Sequence, residues 1–148
     1  MLINDQLSVV QTGKHLIRQS ESSIVGHYEQ GIEIAYLRLQ AKDNYFLLEI
    51  DWHLSTVPTM PIAVFSHLLC DDTLIAQADG PPLGRAYPFD LWPKDTTWRD
   101  YRIFIPTSVP SMSCIRAFVG LYDPTTGERY EVLLSNGDVV DGLYVNIG

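Results

Sequence analysis

Apolar and polar residues alternate most regularly in residues 45–54, where every second side chain is apolar. This period of two is typical of a β-strand with one buried face and one face toward solvent. The same period returns in residues 115–121. We therefore expect both segments to be strands that contribute to one core. The predicted core residues are Phe46, Leu48, Ile50, Trp52, Val119 and Leu121.

Residues 62–82 contain two apolar stretches, 64–69 and 74–78, on either side of the acidic sequence Cys-Asp-Asp-Thr. The sequence Asp-Gly-Pro-Pro follows the second stretch. Short apolar runs bounded by such residues are typical of strands and turns. The segment predicts a hairpin, around which we expect the other strands to be arranged.

The remaining apolar runs predict further strands at 32–39, 101–105, 130–134 and 143–147. The sequence Asp-Pro-Thr-Thr-Gly after the run 115–121 predicts a hairpin turn, so strand 130–134 should return antiparallel to strand 115–121. Roughly eight or nine short strands without a convincing long helix predict an all-β protein, folded as an antiparallel β-sandwich. Jelly-roll and immunoglobulin-like topologies both fit, and the long irregular connection 80–98 favours the jelly roll.

The sandwich should occupy residues 26–148 as one domain, because 148 residues is close to the usual domain size. Residues 1–25 form an N-terminal segment in which a helix and a strand are equally compatible with the pattern. No window approaches the roughly 18 apolar residues of a membrane span. No signal peptide precedes the domain, so we expect a soluble, cytoplasmic chain, or an extracytoplasmic one if the sequence is part of a membrane protein.

The chain is acidic, with 18 Asp and Glu against 10 Lys and Arg and a formal charge of -8. Such a charge repels phosphate backbones and argues against a nucleic-acid partner. Cys70 and Cys114 are too few for a disulfide framework and lack the paired spacing of a zinc site. Free thiols and a single bridge between them both remain open.

Motifs for catalysis or metal binding are absent, since the sequence holds no Gly-x-Ser-x-Gly elbow, phosphate loop or HExxH. We interpret His67 as structural because no second His or carboxylate stands at ligand spacing near it. Asp71 and Asp72 lack the alternating oxygen ligands of a calcium loop, so we interpret them as turn residues. We expect neither a metal nor a cofactor.

The connection 80–98 is the predicted ligand site, because long irregular loops in compact domains are often functional. It carries aromatic rings, and polar groups stand in or beside it, a combination that suits sugars. The predicted ligand-binding residues are Asp79, Arg85, Tyr87, Trp92 and Trp98. The alternative is that these aromatic residues plug one end of the sandwich. If Trp92 instead serves as a ligand platform, Leu91 beside it could supply the burial that Trp92 then need not.

An ordered set of short motifs resembles a known domain. The set runs GIEIAYLRL, LLEIDWHLS, VFSHLL, DGPP, a Tyr-Pro and Trp-Pro loop, DYRIFIP and VGLYDPTTGERY. It resembles the β-sandwich domain at the C-terminal, extracytoplasmic end of bacterial multi-spanning glycosyltransferases of the protein-mannosyltransferase type, and its stand-alone relatives. The resemblance covers about residues 26–147. It implies a sandwich fold and association with a membrane glycosyltransferase, and it brings no catalytic residues.

Two functional hypotheses follow from the sequence. The favoured one is a non-catalytic β-sandwich module that binds a glycan or a protein partner. The alternative is a small hydrolase or isomerase whose site is assembled across strands from His67, Asp79 and Asp100.

Overall fold

The computed structural model describes residues 25–81, 89–109 and 111–148. Nearly all regular structure there is β, and no helix in these ranges is long and apolar enough to cross a membrane. The N-terminal segment, apart from its last residue, lies outside these ranges. The strands are β1 (Gly26–Tyr28), β2 (Ile32–Ala41), β3 (Phe46–Leu54), β4 (Ala63–Cys70), β5 (Thr73–Gln77), β6 (Thr96–Phe104), β7 (Ile115–Tyr122), β8 (Val132–Leu134), β9 (Val139–Val140) and β10 (Leu143–Asn146). Single 3-10 turns occur at Phe89–Leu91 and Met112–Cys114.

Two antiparallel sheets pack face to face, as the sequence predicted. A six-stranded sheet has the order β6-β3-β2-β1-β8-β9, and a four-stranded sheet has the order β10-β7-β4-β5. Along the chain the strand pairs are nested: β4–β5 lies between β3 and β6, and these lie between β1 and β8, which pair with each other. Such nested pairing is the wrapping of a jelly roll. The fold departs from that scheme at β2, which lies between β1 and β3 in the larger sheet.

The predicted hairpin 62–82 is present as β4 and β5, and its acidic turn contains Asp71 in the left-handed region. The hairpin predicted after β7 was only partly right. Asp123 N donates to Glu128 O at 2.8 Å and Tyr130 N to Leu121 O at 2.9 Å, so the turn forms. Strand β8 then leaves β7 and pairs with β1 and β9 in the other sheet. The alternation in residues 130–134 predicts only that one face of the strand is buried, and pairing in either sheet would bury that face.

The core lies between the sheets, and the period-two prediction of its members is confirmed. Phe46 is 4% exposed, and the other five predicted core residues are fully buried. The same alternation places the intervening polar residues of β3 on the outer face of the six-stranded sheet. Trp52, the largest buried side chain, donates its indole N–H to Asp100 Oδ2 at 3.1 Å.

Of the two alternatives for the cysteines, the bridge is the one observed: Cys70 and Cys114 form a disulfide. Cys70 ends β4 opposite Ile115, the first residue of β7, so the bridge ties adjacent strand ends. Asp71 N also donates to Cys114 O at 2.8 Å in the same place. The bond closes a sequence separation of 44 residues. By loop entropy, such a bridge stabilises the fold by about 4 kcal/mol.

Truncation of Trp52 should test the core directly. Trp52→Ala should lower the free energy of unfolding by roughly 3 to 5 kcal/mol, because it leaves a large cavity and removes a partner of Asp100. Urea unfolding gives the value. Leu74→Ala is the control, since Leu74 is 46% exposed and its loss should change stability by less than about 0.5 kcal/mol. Equal effects of the two substitutions would contradict the assigned core.

Candidate functional site

The aromatic residues of the predicted loop site pack inward where the structure describes them. Trp92 is 2% exposed, with ring centroids 4.8 Å from Phe89 and 5.7 Å from Trp98. Phe89 in turn meets Trp52 edge-on at 5.5 Å. Trp92 therefore presents no open ring face to a ligand and closes the sandwich, as the plug alternative requires. The expectation that Leu91 would be buried instead is wrong, since Leu91 is 59% exposed.

The other predicted loop residues differ in their placement. Trp98 is partly buried beside Trp92, and its indole N–H donates to Thr96 Oγ1 at 2.9 Å. Asp79 accepts from Ser66 N at 2.9 Å and from Gln77 Nε2 at 3.2 Å, so its carboxylate fastens the chain leaving β5 to β4. Arg85 and Tyr87 lie outside the described residues, and for them the ligand site stays a prediction.

The three residues of the hydrolase alternative do not assemble. His67 Nε2 lies 3.8 Å from Asp79 Oδ1, a proximity that their separation in the sequence did not reveal. Burial lowers the pKa of His67; the charge of Asp79 opposes this shift and that of Arg129 adds to it. Asp100, however, is buried on the inner face of β6, where Trp52 and Arg102 contact its carboxylate. His67 lies on the outer face of β4, between the inward-facing Ser66 and Leu68.

A different group of side chains meets on the outer face of the six-stranded sheet. We call it the outer-face cluster, and it consists of Tyr36, Glu49, Asp51, Arg99 and Tyr101. The strand register places Asp51 between Tyr36 of β2 and Arg99 of β6, and Glu49 beside Tyr101. A register shift between Ile34 and Tyr36 brings Tyr36, instead of Ala35, opposite Asp51. The cluster thus depends on one bulge and on the full-length pairing of β3.

Asp51 is the centre of the cluster and has no exposed side-chain surface, although it lies on the solvent side of the sheet. Arg99 holds its carboxylate in a fork, with Nε 2.8 Å from Oδ1 and Nη2 3.3 Å from Oδ2. Arg99 Nη1 is also 3.9 Å from Glu49 Oε2. The guanidinium lies 4.9 Å from the centre of the Tyr36 ring. Arg99 is therefore held between the Asp51 carboxylate and the Tyr36 ring.

Burial raises the pKa of Asp51, and this effect outweighs the hydrogen bond and positive charge of Arg99, which lower it. Burial lowers the pKa of Arg99, but the hydrogen bond and charge of Asp51 together with Glu49 outweigh it, so the net shift is upward. The fold thus keeps the Asp51–Arg99 ion pair at a site where the Asp51 carboxylate is poorly solvated. A buried ion pair contributes little stability compared with apolar side chains of similar volume. Clusters with perturbed pKa values of this kind are concentrated at functional sites.

Sequence reasoning missed this cluster. The polar positions of β3 alternate with its core residues and were interpreted only as a solvent face. The signal in the sequence was that Glu49, Asp51 and His53 are three successive outward positions, all of them ionisable. Arg99, the partner of Asp51 and Glu49, is 48 residues from Asp51, a pairing that the local pattern does not contain.

The outer face of the four-stranded sheet is different in character. Arg129 lies 4.5 Å over the Phe65 ring, and Arg116 lies 4.0 Å over the Tyr144 ring. A Cβ at Gly120 would come within 2.7 Å of Phe65, so this glycine lets the ring lie flat against the strand. Phe65 is buried, with 3% of its surface exposed, whereas 55% of the surface of Tyr144 is exposed. This face offers a matched control tyrosine for the outer-face cluster.

Within residues 25–81, 89–109 and 111–148, no group of three His, Cys, Asp or Glu residues is arranged to hold a metal ion. No known protein family, no curated protein and no solved structure matches the chain. The functional interpretation therefore depends on the geometry of the chain itself.

Removal of the buried indole should separate a plug from a ligand platform. Trp92→Ala should lower the free energy of unfolding by roughly 3 kcal/mol or more, because a large ring leaves the core. Its neighbour Leu91 is exposed, so Leu91→Ala should change stability by less than about 0.5 kcal/mol. Urea unfolding of both variants gives the comparison. Unchanged stability in Trp92→Ala would show that the ring is not a plug.

Replacement of Asp51 by Asn should alter the pH dependence of stability. Because the folded pKa of Asp51 is raised, the fold favours the protonated carboxyl. This contribution is complete below the unfolded value and is lost as the pH rises through the folded value. Asn is neutral at every pH. The stability of Asp51→Asn relative to the wild type should therefore increase from about pH 3 to about pH 7, as measured by urea unfolding.

The matched variant for Asp51→Asn removes the cation instead. Arg99→Met leaves the buried carboxylate without its partner and should cost roughly 3 kcal/mol at about pH 7, with a smaller cost at about pH 3. If the relative stability of Asp51→Asn fell as the pH rose, Arg99 would be stabilising the ionised carboxylate by more than burial penalises it.

Proposed function

We propose that this chain is a non-catalytic glycan-binding module whose sugar site is the outer-face cluster. The observation that carries the proposal is the buried Asp51 carboxylate on the solvent side of the sheet, paired with Arg99, whose guanidinium lies over the Tyr36 ring. A fold that needs only stability has no use for a desolvated ion pair at that position. A fold that needs a rigid, correctly aimed guanidinium at its surface does.

Four members of the cluster have distinct roles in this proposal. Asp51 is inaccessible and acts as a positioning residue that fixes Arg99. The edges of Arg99 and Glu49, whose side chains are 15% and 13% exposed, donate to and accept from sugar hydroxyls. Tyr101 is 44% exposed and supplies an apolar ring for the C–H face of a sugar. A fixed donor, a fixed acceptor and an adjacent ring are the combination of groups that a pyranose requires.

A hydrolase or isomerase is less well supported. His67 and Asp79 are neighbours at 3.8 Å, but Asp79 already accepts hydrogen bonds from Ser66 and Gln77. Asp100 is enclosed on the inner face of the other sheet. A substrate could not contact all three groups without opening the sandwich.

Two further features agree with a glycan partner. The disulfide is typical of oxidising compartments, where many glycans occur. The resemblance of the motif set to extracytoplasmic domains of membrane glycosyltransferases would place the module beside glycan synthesis. Association with such an enzyme is part of the proposal, and the net charge of -8 disfavours nucleic acid as a partner.

Binding should be tested with paired tyrosine variants. The wild type is first screened on a glycan array, and the affinity of the best ligand is then measured by titration calorimetry. Tyr101→Ala should weaken binding at least about tenfold, or about 1.4 kcal/mol. Tyr144→Ala removes a similarly exposed tyrosine from the opposite sheet and should leave the affinity unchanged.

Asp51→Asn adds an independent arm to this experiment. It should weaken binding because Arg99 loses the carboxylate that fixes it, while Glu49 Oε2, 3.9 Å from Arg99 Nη1, still faces the guanidinium. Urea unfolding at neutral pH checks that the variant is folded under the conditions of the titration. The absence of any bound glycan on the array would overturn the proposal. Equal losses in Tyr101→Ala and Tyr144→Ala would also overturn it.

A further inference from the structure

Three successive pairs of outward side chains lie directly opposite one another along β3 and β6. They are Glu49–Tyr101, Asp51–Arg99 and His53–Thr97. Because every second residue of a strand faces the same side, the three pairs form one line on the solvent side of the sheet. The first and third pairs are four residues apart along each strand, a distance of about 14 Å. One sugar ring cannot contact both ends of this line.

The third pair, which lies outside the outer-face cluster, repeats the arrangement of Asp51 and Arg99. His53 Nδ1 lies 2.8 Å from Thr97 Oγ1, and Thr97 is only 5% exposed although it occupies an outward position of β6. A buried hydroxyl therefore holds the imidazole, as the buried Asp51 carboxylate holds the guanidinium of Arg99. Since Nδ1 is engaged, Nε2 is the ring nitrogen that can bind a ligand, as a donor or as an acceptor according to the tautomer.

Aliphatic side chains limit this polar surface in two directions. Along the strands, the outward pair beyond the first one is Leu47–Ile103. Across the sheet, the outward residues beyond His27 of β1 are Leu133 of β8 and Val139 of β9. Aliphatic side chains neither donate nor accept hydrogen bonds. Groups that can bind sugar hydroxyls therefore continue along β3 and β6, but they do not continue across all six strands.

We infer that the glycan is a linear oligosaccharide lying along β3 and β6, with one sugar at Tyr101 and Arg99 and a later sugar at His53. This inference rests on the proposed function and adds a second subsite to it. In the second subsite, His53 Nε2 forms a hydrogen bond with a sugar hydroxyl. Thr97 does not touch the ligand and is a positioning residue. A monosaccharide fills the first subsite alone and gains nothing from His53.

Linear fragments of the strongest array glycan, one to four sugar units long, test the second subsite by titration calorimetry. The affinity of the wild type should rise by about fivefold at the length that reaches His53, which is the gain from one additional hydrogen bond. His53→Ala and Thr97→Val should lose this gain. Thr97→Ser keeps the hydroxyl that holds the imidazole and should retain the gain. Urea unfolding checks that each variant is folded.

His27→Ala is the matched control for His53→Ala. The two histidines are similar, because His27 Nδ1 is also engaged by a side chain of the adjacent strand, Glu33 Oε2 at 2.9 Å. His27 lies on β1, however, two strands away from His53 and therefore about 10 Å from it. A ligand that follows β3 and β6 does not reach it, so His27→Ala should retain the gain with length.

Different results overturn the second subsite and the proposed function. Equal affinities for all four fragment lengths, or a gain that survives in His53→Ala, would overturn the second subsite even where Tyr101→Ala weakens the binding of every fragment. A gain that is lost in His27→Ala and kept in His53→Ala would show that the ligand crosses the sheet, which also overturns the inference. If no glycan binds, the proposed function fails and the inference fails with it.

Discussion

The pairing of β3 with β2 and β6 along its whole length is the constraint on which the rest of the structure depends. Each residue of β3 has a neighbour on both sides, so the strand cannot slip by one position without exchanging its two faces. Its inner face carries the largest buried side chain, Trp52. Its outer face carries Asp51. One register therefore holds the core and the outer-face cluster in place together.

The two faces of β3 make opposite contributions to the energy of the fold. The inner side chains stabilise it by removing apolar surface from water. The outer face retains an ion pair whose carboxylate is fully buried, and the direction of the Asp51 pKa shift indicates that burial is not fully compensated. The proposed function would account for this energetic cost, because a fixed guanidinium loses less conformational entropy on binding than a mobile one.

Several long-range contacts stabilise the sandwich around this strand. Arg102 crosses from the six-stranded sheet to the carbonyl groups of Ala78 and Pro81, which follow the four-stranded sheet. The disulfide binds the end of β4 to the start of β7. In the connection between the sheets, Phe89 packs on Trp52 and Trp92 packs on Phe89. The loop that the sequence marked as a ligand site is, in its described part, used for packing.

The sequence by itself determined the all-β class, most strand positions and the core of β3 and β7, because a period of two is a local property of strand geometry. It did not determine which sheet receives β8, since alternation shows that one face is buried and not what buries it. The inward rotation of Trp92 and the exposure of Leu91 depended on Phe89 and Trp98, which the local sequence does not position. The cysteine bridge and the Asp51–Arg99 pair join residues 44 and 48 positions apart, and only the paired strands bring them together.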